Sequence, residues 1–301
     1  MTAAAAPSAG PQGGPETPVA RLVRPRRVLA ELPVLDEDQC SVVGQRQGAG
    51  PLVVLGAPGT GRTTTLVEAV VARVERDGVA PDAVLVLCAT RLSAADVRDR
   101  IAARLARTVR EPLARTAHAY AFGLLRRVHV LEGDLPPRLI SGPEQDLVLA
   151  DLLAGHEVGA GRGPHWPHPL DPRVRALRGF RDELRDLLMR AVERGIGPEG
   201  LATLGGRRGR PDWVAAAEVL QEYVEVTSLA TPGAYDPAGI VDAAANLLSV
   251  DPALLAAERD RWKLVVVDDA HEVTAATQRL LEVLTDGGGD VLLAGDPDAA
   301  T

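Results

Sequence analysis

The stretch Leu-Gly-Ala-Pro-Gly-Thr-Gly-Arg-Thr-Thr at residues 55–64 spaces its glycines and hydroxyl groups as a phosphate-binding loop does. Glycines let backbone N–H groups turn toward phosphate oxygens, and a helix that begins at the end of the loop adds the positive end of its dipole. Thr63 supplies a hydroxyl suited to Mg²⁺, and the cation at position 62 is placed to reach terminal phosphates. The stretch therefore predicts a nucleoside triphosphate site.

Position 62 carries arginine where the template has lysine. Lysine is a compact point charge, whereas guanidinium is wide, planar and suited to bidentate contacts. We therefore expect Arg62 to permit nucleotide binding better than hydrolysis. Of the 33 lysines and arginines in the chain only Lys263 is a lysine, so a general drift toward arginine is an alternative origin of Arg62. Either origin has the same physical consequence at the phosphate.

An acidic pair offers the metal side of the same site. Asp268 and Asp269 follow the apolar run Leu-Val-Val-Val, which is typical of a strand buried on both faces of a parallel sheet. Such a strand delivers Asp268 to the sheet edge opposite Thr63, where the two side chains can hold Mg²⁺. Asp269, one methylene shorter than glutamate, is then the residue that orients the attacking water. A helix cap or a solvated turn is the structural alternative for this pair.

The elements that must position these groups alternate along the chain. Apolar runs indicate strands at residues 52–55, 84–88, 264–267 and 291–294. Amphipathic spacing indicates helices from about residue 36, after a cap at Ser93, and over 116–127. This alternation predicts an α/β fold with a doubly wound parallel sheet, whose ligand lies at the carboxyl ends of the strands.

The region from 131 to 261 differs in pattern and predicts a helical insertion. Its helical segments lie at residues 144–153, 180–194, 213–229 and 240–248, separated by stretches rich in glycine and proline. His165 and His168 fall in an irregular loop without the cysteine or acidic neighbours that a metal site requires.

Composition narrows the class of protein. A formal charge of −8 over 301 residues excludes a uniformly basic coat for nucleic acid, so any DNA contact must be a local groove. Cys40 and Cys88 fit no metal spacing and suggest a reducing cytoplasm, and no apolar run is long enough for a membrane span. Residues 1–20 predict a disordered leader, and the arginines at 21–27 are interpreted as a solvated arm.

Six motifs stand in an order that resembles a known family. They read Leu-Asp-Glu-Asp-Gln at 35–39, the loop at 55–64, Ala-Thr-Arg-Leu-Ser-Ala-Ala-Asp-Val at 89–97, Thr-Ala-His-Ala at 116–119, Asp-Asp-Ala-His-Glu at 268–272 and Gly-Asp-Pro-Asp-Ala at 295–299. The order resembles the N-terminal motor half of UvrD/Rep-type superfamily 1 DNA helicases. It is most similar to the AdnA-type subunit of actinobacterial AdnAB helicase–nucleases, which process double-strand breaks.

This resemblance, which covers residues 30–301, implies a P-loop NTPase with a RecA-like sheet and a 1B-like helical insertion. The implied domains are a leader at 1–20, the first part of RecA-like domain 1A at 21–130, the insertion at 131–261 and the second part of 1A at 262–301. ATP would contact Gln39, Gly56, Ala57, Pro58, Gly59, Thr60, Gly61, Arg62, Thr63 and Thr64, with Gln39 on the adenine edge. Arg62 and Asp269 would be catalytic, and Thr63 and Asp268 would hold Mg²⁺. Single-stranded DNA would contact Thr90, Arg91, Thr116 and His118.

The sequence departs from the family pattern at catalytic and coupling positions. Besides Arg62 and Asp269, His271 and Ala299 replace glutamines that in the family help to link the γ-phosphate to bound DNA. The chain also ends inside the last motif, ahead of a second RecA-like domain. We therefore expect a fragment, or a subunit that needs an AdnB-like partner, with weak hydrolysis by itself.

Two functions remain in competition, both cytoplasmic and neither involving a membrane. The preferred one is the ATP-binding motor portion of a DNA translocase that acts in double-strand break repair. The alternative is a catalytically degenerate structural subunit that binds nucleotide or DNA and supports an active partner motor. A generic P-loop kinase or GTPase is disfavoured because nothing in the sequence resembles a guanine-specificity element.

Overall fold

The computed structural model describes residues 32–105 and 113–299, so the predicted leader and the arginines at 21–27 lie outside the described residues. Its strands are β1 Leu52–Leu55, β2 Val84–Leu87, β3 Ala114–Arg115, β4 Arg138–Leu139, β5 Ala234–Tyr235, β6 Leu264–Val267 and β7 Asp290–Gly295. Its helices are α1 Glu37–Gly44, α2 Arg62–Glu75, α3 Arg91–Arg104, α4 Ala117–Glu132, α5 Gly142–Glu157, α6 Pro172–Arg175, α7 Arg178–Glu193, α8 Pro198–Arg208, α9 Pro211–Ala230, α10 Ile240–Val250, α11 Pro252–Arg261 and α12 Ala275–Thr285.

Five of the strands form one parallel sheet in the order β1-β7-β6-β2-β3. Val266 on the central strand pairs with Val86 on one side and Leu292 on the other. Every residue of β2 and β6 is buried, which is why both strands read as unbroken apolar runs. Because the strands are parallel, their carboxyl ends meet at one edge of the sheet. The predicted α/β fold with a parallel sheet is confirmed.

Helices cover both faces of this sheet. On one face α2 and α3 pack against alternate strand residues, among them Val86 and Val266. On the other face α4, α10 and α12 pack against the intervening residues, among them Leu85, Val265 and Val267. This division follows from the pleat, which sends successive side chains of a strand to opposite faces. The sheet is therefore doubly wound, and each face has its own apolar core.

The helices between residues 131 and 261 divide between two cores. Leu149 on α5, Leu188 on α7, Leu201 on α8 and Leu220 on α9 pack into a separate helical core. In contrast, α10 belongs to the sheet, since Ala244 packs with α4 and α12. The bounds 131 and 261 of the insertion stay a prediction. No single helix in the described ranges is long and apolar enough to cross a membrane, and α10 and α11 meet that test only as a pair bent by 108°.

Helix positions differ from the sequence expectation in two respects. Thr90 rather than Ser93 caps α3, because Thr90 Oγ1 accepts the Ser93 N–H at 3.0 Å and the helix begins at Arg91. The sequence analysis also predicted no helix at the positions of α6, α8, α11 and α12. The glycines of α8 lower its helix propensity, but Gly205 lets α8 and α9 approach closely. A Cβ at Gly205 would lie only 3.0 Å from the Arg210 carbonyl oxygen.

Candidate functional site

The predicted phosphate loop connects β1 to α2 at the carboxyl edge of the sheet. Gly59 and Gly61 have φ of 84° and 87°, in the left-handed region that glycine adopts without strain. A Cβ at Gly61 would lie 2.6 Å from Gln39 Nε2, so a side chain there would also displace Gln39. Ala57, Pro58 and Thr60 of the loop are exposed. The backbone thus has the open turn that the glycine spacing requires.

The N-terminus of α2 is free to accept a ligand. The helix begins directly after Gly61, and no side chain among residues 32–105 and 113–299 caps its first turn. The helices that follow β2 and β3 at the same edge are capped by Thr90 and Thr116. First-turn N–H groups have no intrahelical partner, so those of α2 remain donors for an anion. This set of donors fits the phosphates of a nucleotide.

Thr63 and Asp268 meet at this edge, as the sequence predicts. Thr63 Oγ1 donates to Asp268, with its oxygen 3.0 Å from Oδ2 and 3.2 Å from Oδ1. Thr63 lies in the first turn of α2 and Asp268 directly after β6, so the parallel sheet brings together residues that are far apart in sequence. A hydroxyl oxygen and a carboxylate are ligands that suit Mg²⁺. The pair therefore fits the metal that the loop implies.

Asp268 is a buried carboxyl with a second carboxyl beside it. Burial raises the pKa of Asp268 above its usual range, the charge of Asp269 raises it further, and the hydrogen bond from Thr63 acts in the opposite direction. A divalent cation would favour the ionised form that burial disfavours. Asp268 is therefore a group whose charge the fold by itself leaves poorly compensated.

Arg62 points back into the protein. Its Nη2 donates to Asp269 Oδ1 at 3.2 Å, its Nη1 lies 3.6 Å from Asp296 Oδ2, and Nη1 also donates to the Gly56 carbonyl oxygen. The Arg62 side chain is 12% exposed and that of Asp296 is 4% exposed. Both predicted catalytic residues, Arg62 and Asp269, are therefore paired with each other in this structure.

The turn after β6 has an unusual backbone. Asp269 has φ of 53°, the only described residue other than glycine with a positive φ, and aspartate is one of the residues that tolerate it. Two residues later, His271 Nδ1 accepts the Asp296 N–H at 3.2 Å. His271 therefore joins the end of β6 to the end of β7. The ring nitrogen acts as an acceptor, which requires its proton on Nε2.

Gln39 connects α1 to the phosphate loop. Its Nε2 donates to the Thr60 carbonyl oxygen at 3.0 Å, and its Oε1 accepts the Asp36 N–H at 3.1 Å in a capping box. Gln39 thus lies beside the loop, and its adenine-reading role stays a prediction. In this structure both ends of its amide already have protein partners.

The predicted DNA contacts lie at the same edge but differ in exposure. Thr90 and Arg91 are exposed at the start of α3, and His118 is exposed at the start of α4. Thr116 is buried, and its hydroxyl accepts the Ala119 N–H at 3.2 Å as a helix cap. Of these residues, His118 shares a cavity of about 60 Å³ with Asp268 and Asp269.

Cys88 lines that cavity as well. Burial raises the pKa of its thiol to about 12, and the nearby charges of Asp268 and Asp269 contribute to the increase. The thiol therefore stays protonated at neutral pH, which favours packing over reactivity.

Three residues around the site were not assigned to it from the sequence, although His271 was noted there as a departure from the family pattern. Asp296 and His271 complete the contacts around Arg62 and Asp269, and Arg100 Nη2 donates to Thr64 Oγ1 at 2.7 Å. The signal for Asp296 was the acid at the end of a buried strand, the same signal that identifies Asp268. Sequence alone gives no indication that Arg100 reaches Thr64 from α3.

Comparison with known proteins agrees with this geometry. Residues 35–300 match the family model for the UvrD/REP helicase N-terminal domain. The chain is 27% identical over 275 residues to the ATP-dependent DNA helicase UvrD2 of Mycobacterium tuberculosis (strain ATCC 25618 / H37Rv), covering 87% of this chain and 36% of that protein. It is 24% identical over 257 residues to DNA helicase II of Escherichia coli (strain K12), covering 82% and 31%.

The chain thus spans about a third of the length of the curated relatives that it matches. The family match extends from the Gln39 segment through the phosphate loop, the helices of the separate helical core and the acid-bearing ends of β6 and β7. The chain belongs to the UvrD/REP helicase N-terminal domain family.

Proposed function

We propose that this chain is the ATP-binding portion of an ATP-dependent DNA helicase or translocase. The observation that carries the proposal is the meeting of Thr63 and Asp268 beneath an uncapped α2, next to a loop of glycines in left-handed conformation. The similarity to two proteins named as DNA helicases supports the same assignment.

Each residue would contribute a separate part of nucleotide binding. The loop from Gly56 to Thr64 and the first turn of α2 would hold the phosphates, and Thr63 with Asp268 would hold Mg²⁺. The metal supplies charge neutralisation at the phosphates when bound. Asp269 would orient water, and Gln39 would lie toward the base. Thr90, Arg91 and His118 are exposed at the same edge and are proposed to face single-stranded DNA.

We expect hydrolysis by this chain to be weak. Arg62 and Asp269 neutralise each other, and Asp269 has a shorter side chain than glutamate, so neither group is poised for its proposed role. Small displacements of catalytic groups reduce rates steeply. An AdnA-like place in double-strand break repair, with an AdnB-like partner motor, is the finer form of the proposal and is supported by the motif order of the sequence.

A catalytically degenerate structural subunit is the second candidate. It is favoured by the same pairing of Arg62 with Asp269, which occupies both catalytic groups at once. The two candidates differ in what happens with DNA and a partner motor. A translocase subunit hydrolyses ATP faster when DNA is added, whereas a structural subunit does not.

Calorimetric titration with a non-hydrolysable ATP analogue in the presence of Mg²⁺ tests the proposal. We expect binding in the micromolar range, and loss of most of the affinity when Mg²⁺ is omitted or when Thr63→Ala removes a metal ligand. Folded protein that fails to bind at millimolar analogue would contradict nucleotide binding. Binding without any DNA-stimulated hydrolysis in the presence of the partner would favour the structural subunit.

A further inference from the structure

The guanidinium of Arg62, the cation predicted to bind phosphate, already has three protein partners. Its guanidinium contacts Asp269, Asp296 and the Gly56 carbonyl oxygen, and only 12% of its side chain is exposed. A phosphate that draws the same guanidinium competes with these contacts. The planar fork of arginine suits this arrangement, because it can serve two carboxylates at once where a lysine ammonium presents a single point charge.

Asp296 is held independently of Arg62. It receives the Asp298 N–H on Oδ1 at 3.0 Å, and its own N–H donates to His271. Asp269 follows directly on the buried Asp268 and has a left-handed backbone. Because Asp296 keeps these contacts when Arg62 moves, releasing Arg62 leaves Asp268, Asp269 and Asp296 without its charge at one edge of the sheet. The resting arrangement is therefore favoured until another cation arrives.

We propose that Arg62 is a latch that makes the site select nucleoside diphosphates over nucleoside triphosphates. This inference rests on the proposed nucleotide-binding function. While Arg62 is paired with the two acids, the first turn of α2 still has no side-chain cap, so we expect a diphosphate to bind with the latch closed. A terminal phosphate adds charge beside three carboxylates and needs Arg62, so a triphosphate must first break the pairs with Asp269 and Asp296.

Calorimetric titration of the full chain with Mg²⁺–ADP and with the Mg²⁺ complex of a non-hydrolysable ATP analogue tests the latch. We expect wild-type protein to bind the diphosphate about tenfold more tightly than the triphosphate analogue, and Asp296→Asn to remove most of that difference. Asp298→Asn is the matched control, since it removes the same charge from an exposed residue on the same turn. It should leave the affinity ratio unchanged within about twofold.

Removing a negative charge favours any polyphosphate, so a double-mutant cycle with Arg62→Ala isolates the latch. In the Arg62→Ala background we expect Asp296→Asn to change the affinity ratio no more than Asp298→Asn does. Asp269→Asn provides a second release variant, and asparagine is suited to the φ of 53° at this position. Thermal unfolding followed by circular dichroism establishes that each variant is folded.

The outcomes separate the latch from the function on which it rests. The latch is overturned if wild-type protein shows no preference for the diphosphate, or if the effect of Asp296→Asn is the same with and without Arg62. Failure of folded wild-type protein and all folded variants to bind either nucleotide overturns the proposed function together with the latch. Binding of both nucleotides without coupling between Arg62 and the acids overturns the latch alone.

Discussion

The two ends of α2 carry the same kinds of charged residue in opposite states. At the C-terminal end, Arg76 makes two hydrogen bonds to Asp77, at 2.8 and 3.0 Å, and Arg73 adds a third at 3.4 Å. Asp290, the first residue of β7, accepts the N–H groups of Gly48 and Gly50 at 2.7 and 3.2 Å. Asp77 and Asp290 therefore each have several fixed donors.

At the N-terminal end of α2 the carboxylates outnumber the side-chain donors that serve them. Arg62 is shared by Asp269 and Asp296, while Asp268 receives a hydrogen bond only from the Thr63 hydroxyl among the side chains that the structure describes. The pKa values report the same difference. The hydrogen bond from Arg76 lowers the pKa of Asp77 to about 2, whereas burial raises the pKa of Asp268.

The C-terminal end of α2 is therefore part of the structural scaffold, and the N-terminal end is part of the candidate site. A lowered pKa marks a carboxylate whose charge the folded chain compensates, and a raised pKa marks a charge that is left for a ligand. Strand β7 contributes an acid to each end of α2. Asp290, at the start of β7, belongs to the structural scaffold, and Asp296, just after its end, belongs to the candidate site. Position relative to the carboxyl ends of the strands, not residue type, makes the difference.

The largest change in stability is expected at the C-terminal end of α2, where protein donors compensate the carboxylates. Asp290→Ala removes a buried carboxylate that accepts the N–H groups of the exposed Gly48 and the half-buried Gly50. Hydrogen bonds to a charged group contribute more than neutral ones, so the free energy of unfolding should fall by about 2 kcal/mol. Denaturation with urea measures the change, and Asp286→Ala on the exposed turn before β7 is the matched control. A loss no larger than that of the control would mean that Asp290 does not belong to the scaffold.

A smaller effect is expected at Asp77, also at the C-terminal end of α2, in the acid dependence of the free energy of unfolding. Because the pKa of Asp77 is lowered from 3.8 to about 2, its contribution to stability is complete above the ordinary pKa and is lost as pH falls through that interval. Acid titrations of the free energy of unfolding should show a shallower decline for Asp77→Asn than for wild-type protein. Equal slopes would show that Asp77 does not differ from an ordinary surface carboxylate.

The smallest effect has the opposite sign and lies at the site. Asp268 has a raised pKa in the folded state, so its ionisation costs stability above that pKa and nothing below the ordinary value. Asp268→Asn keeps an acceptor for Thr63 and should raise the free energy of unfolding by about 1 kcal/mol at neutral pH, with no gain in acid. Thermal unfolding of Asp268→Asn at neutral and at acid pH measures the change in stability, and Asp298→Asn is the matched control. A loss of stability in Asp268→Asn would show that the folded chain compensates the charge of Asp268, as it does that of Asp77, and would contradict the proposed difference between the two ends of α2.

Much of the site was accessible from the sequence because its signals are local. The spacing of Gly56, Gly61 and Thr63 requires only a strand, a turn and a helix that are adjacent in the chain. The acid at the end of a buried apolar run predicted where Asp268 would lie, and the structure brings it to Thr63. The roles assigned to the DNA-facing residues stay predictions.

Other features depend on distant parts of the chain. Arg62 pairs with Asp269 across 207 positions, and Arg100 reaches Thr64 from a neighbouring helix. The sequence also grouped α10 with the helical insertion, because amphipathic spacing shows that a helix has an apolar face but not which core receives it. The packing of α10 against the sheet leads us to propose that the insertion ends before Ile240.

The sequence by itself determined the phosphate loop, the buried strands with terminal acids and the alternation that makes a doubly wound sheet, since periodicity and spacing act over a few residues. Only the tertiary structure decided how the charges of the site are shared. That sharing follows from the order of the strands, which places the ends of β1, β6 and β7 side by side at one edge. Residues that are remote in the chain become neighbours there, and the electrostatic balance among them has no local signature.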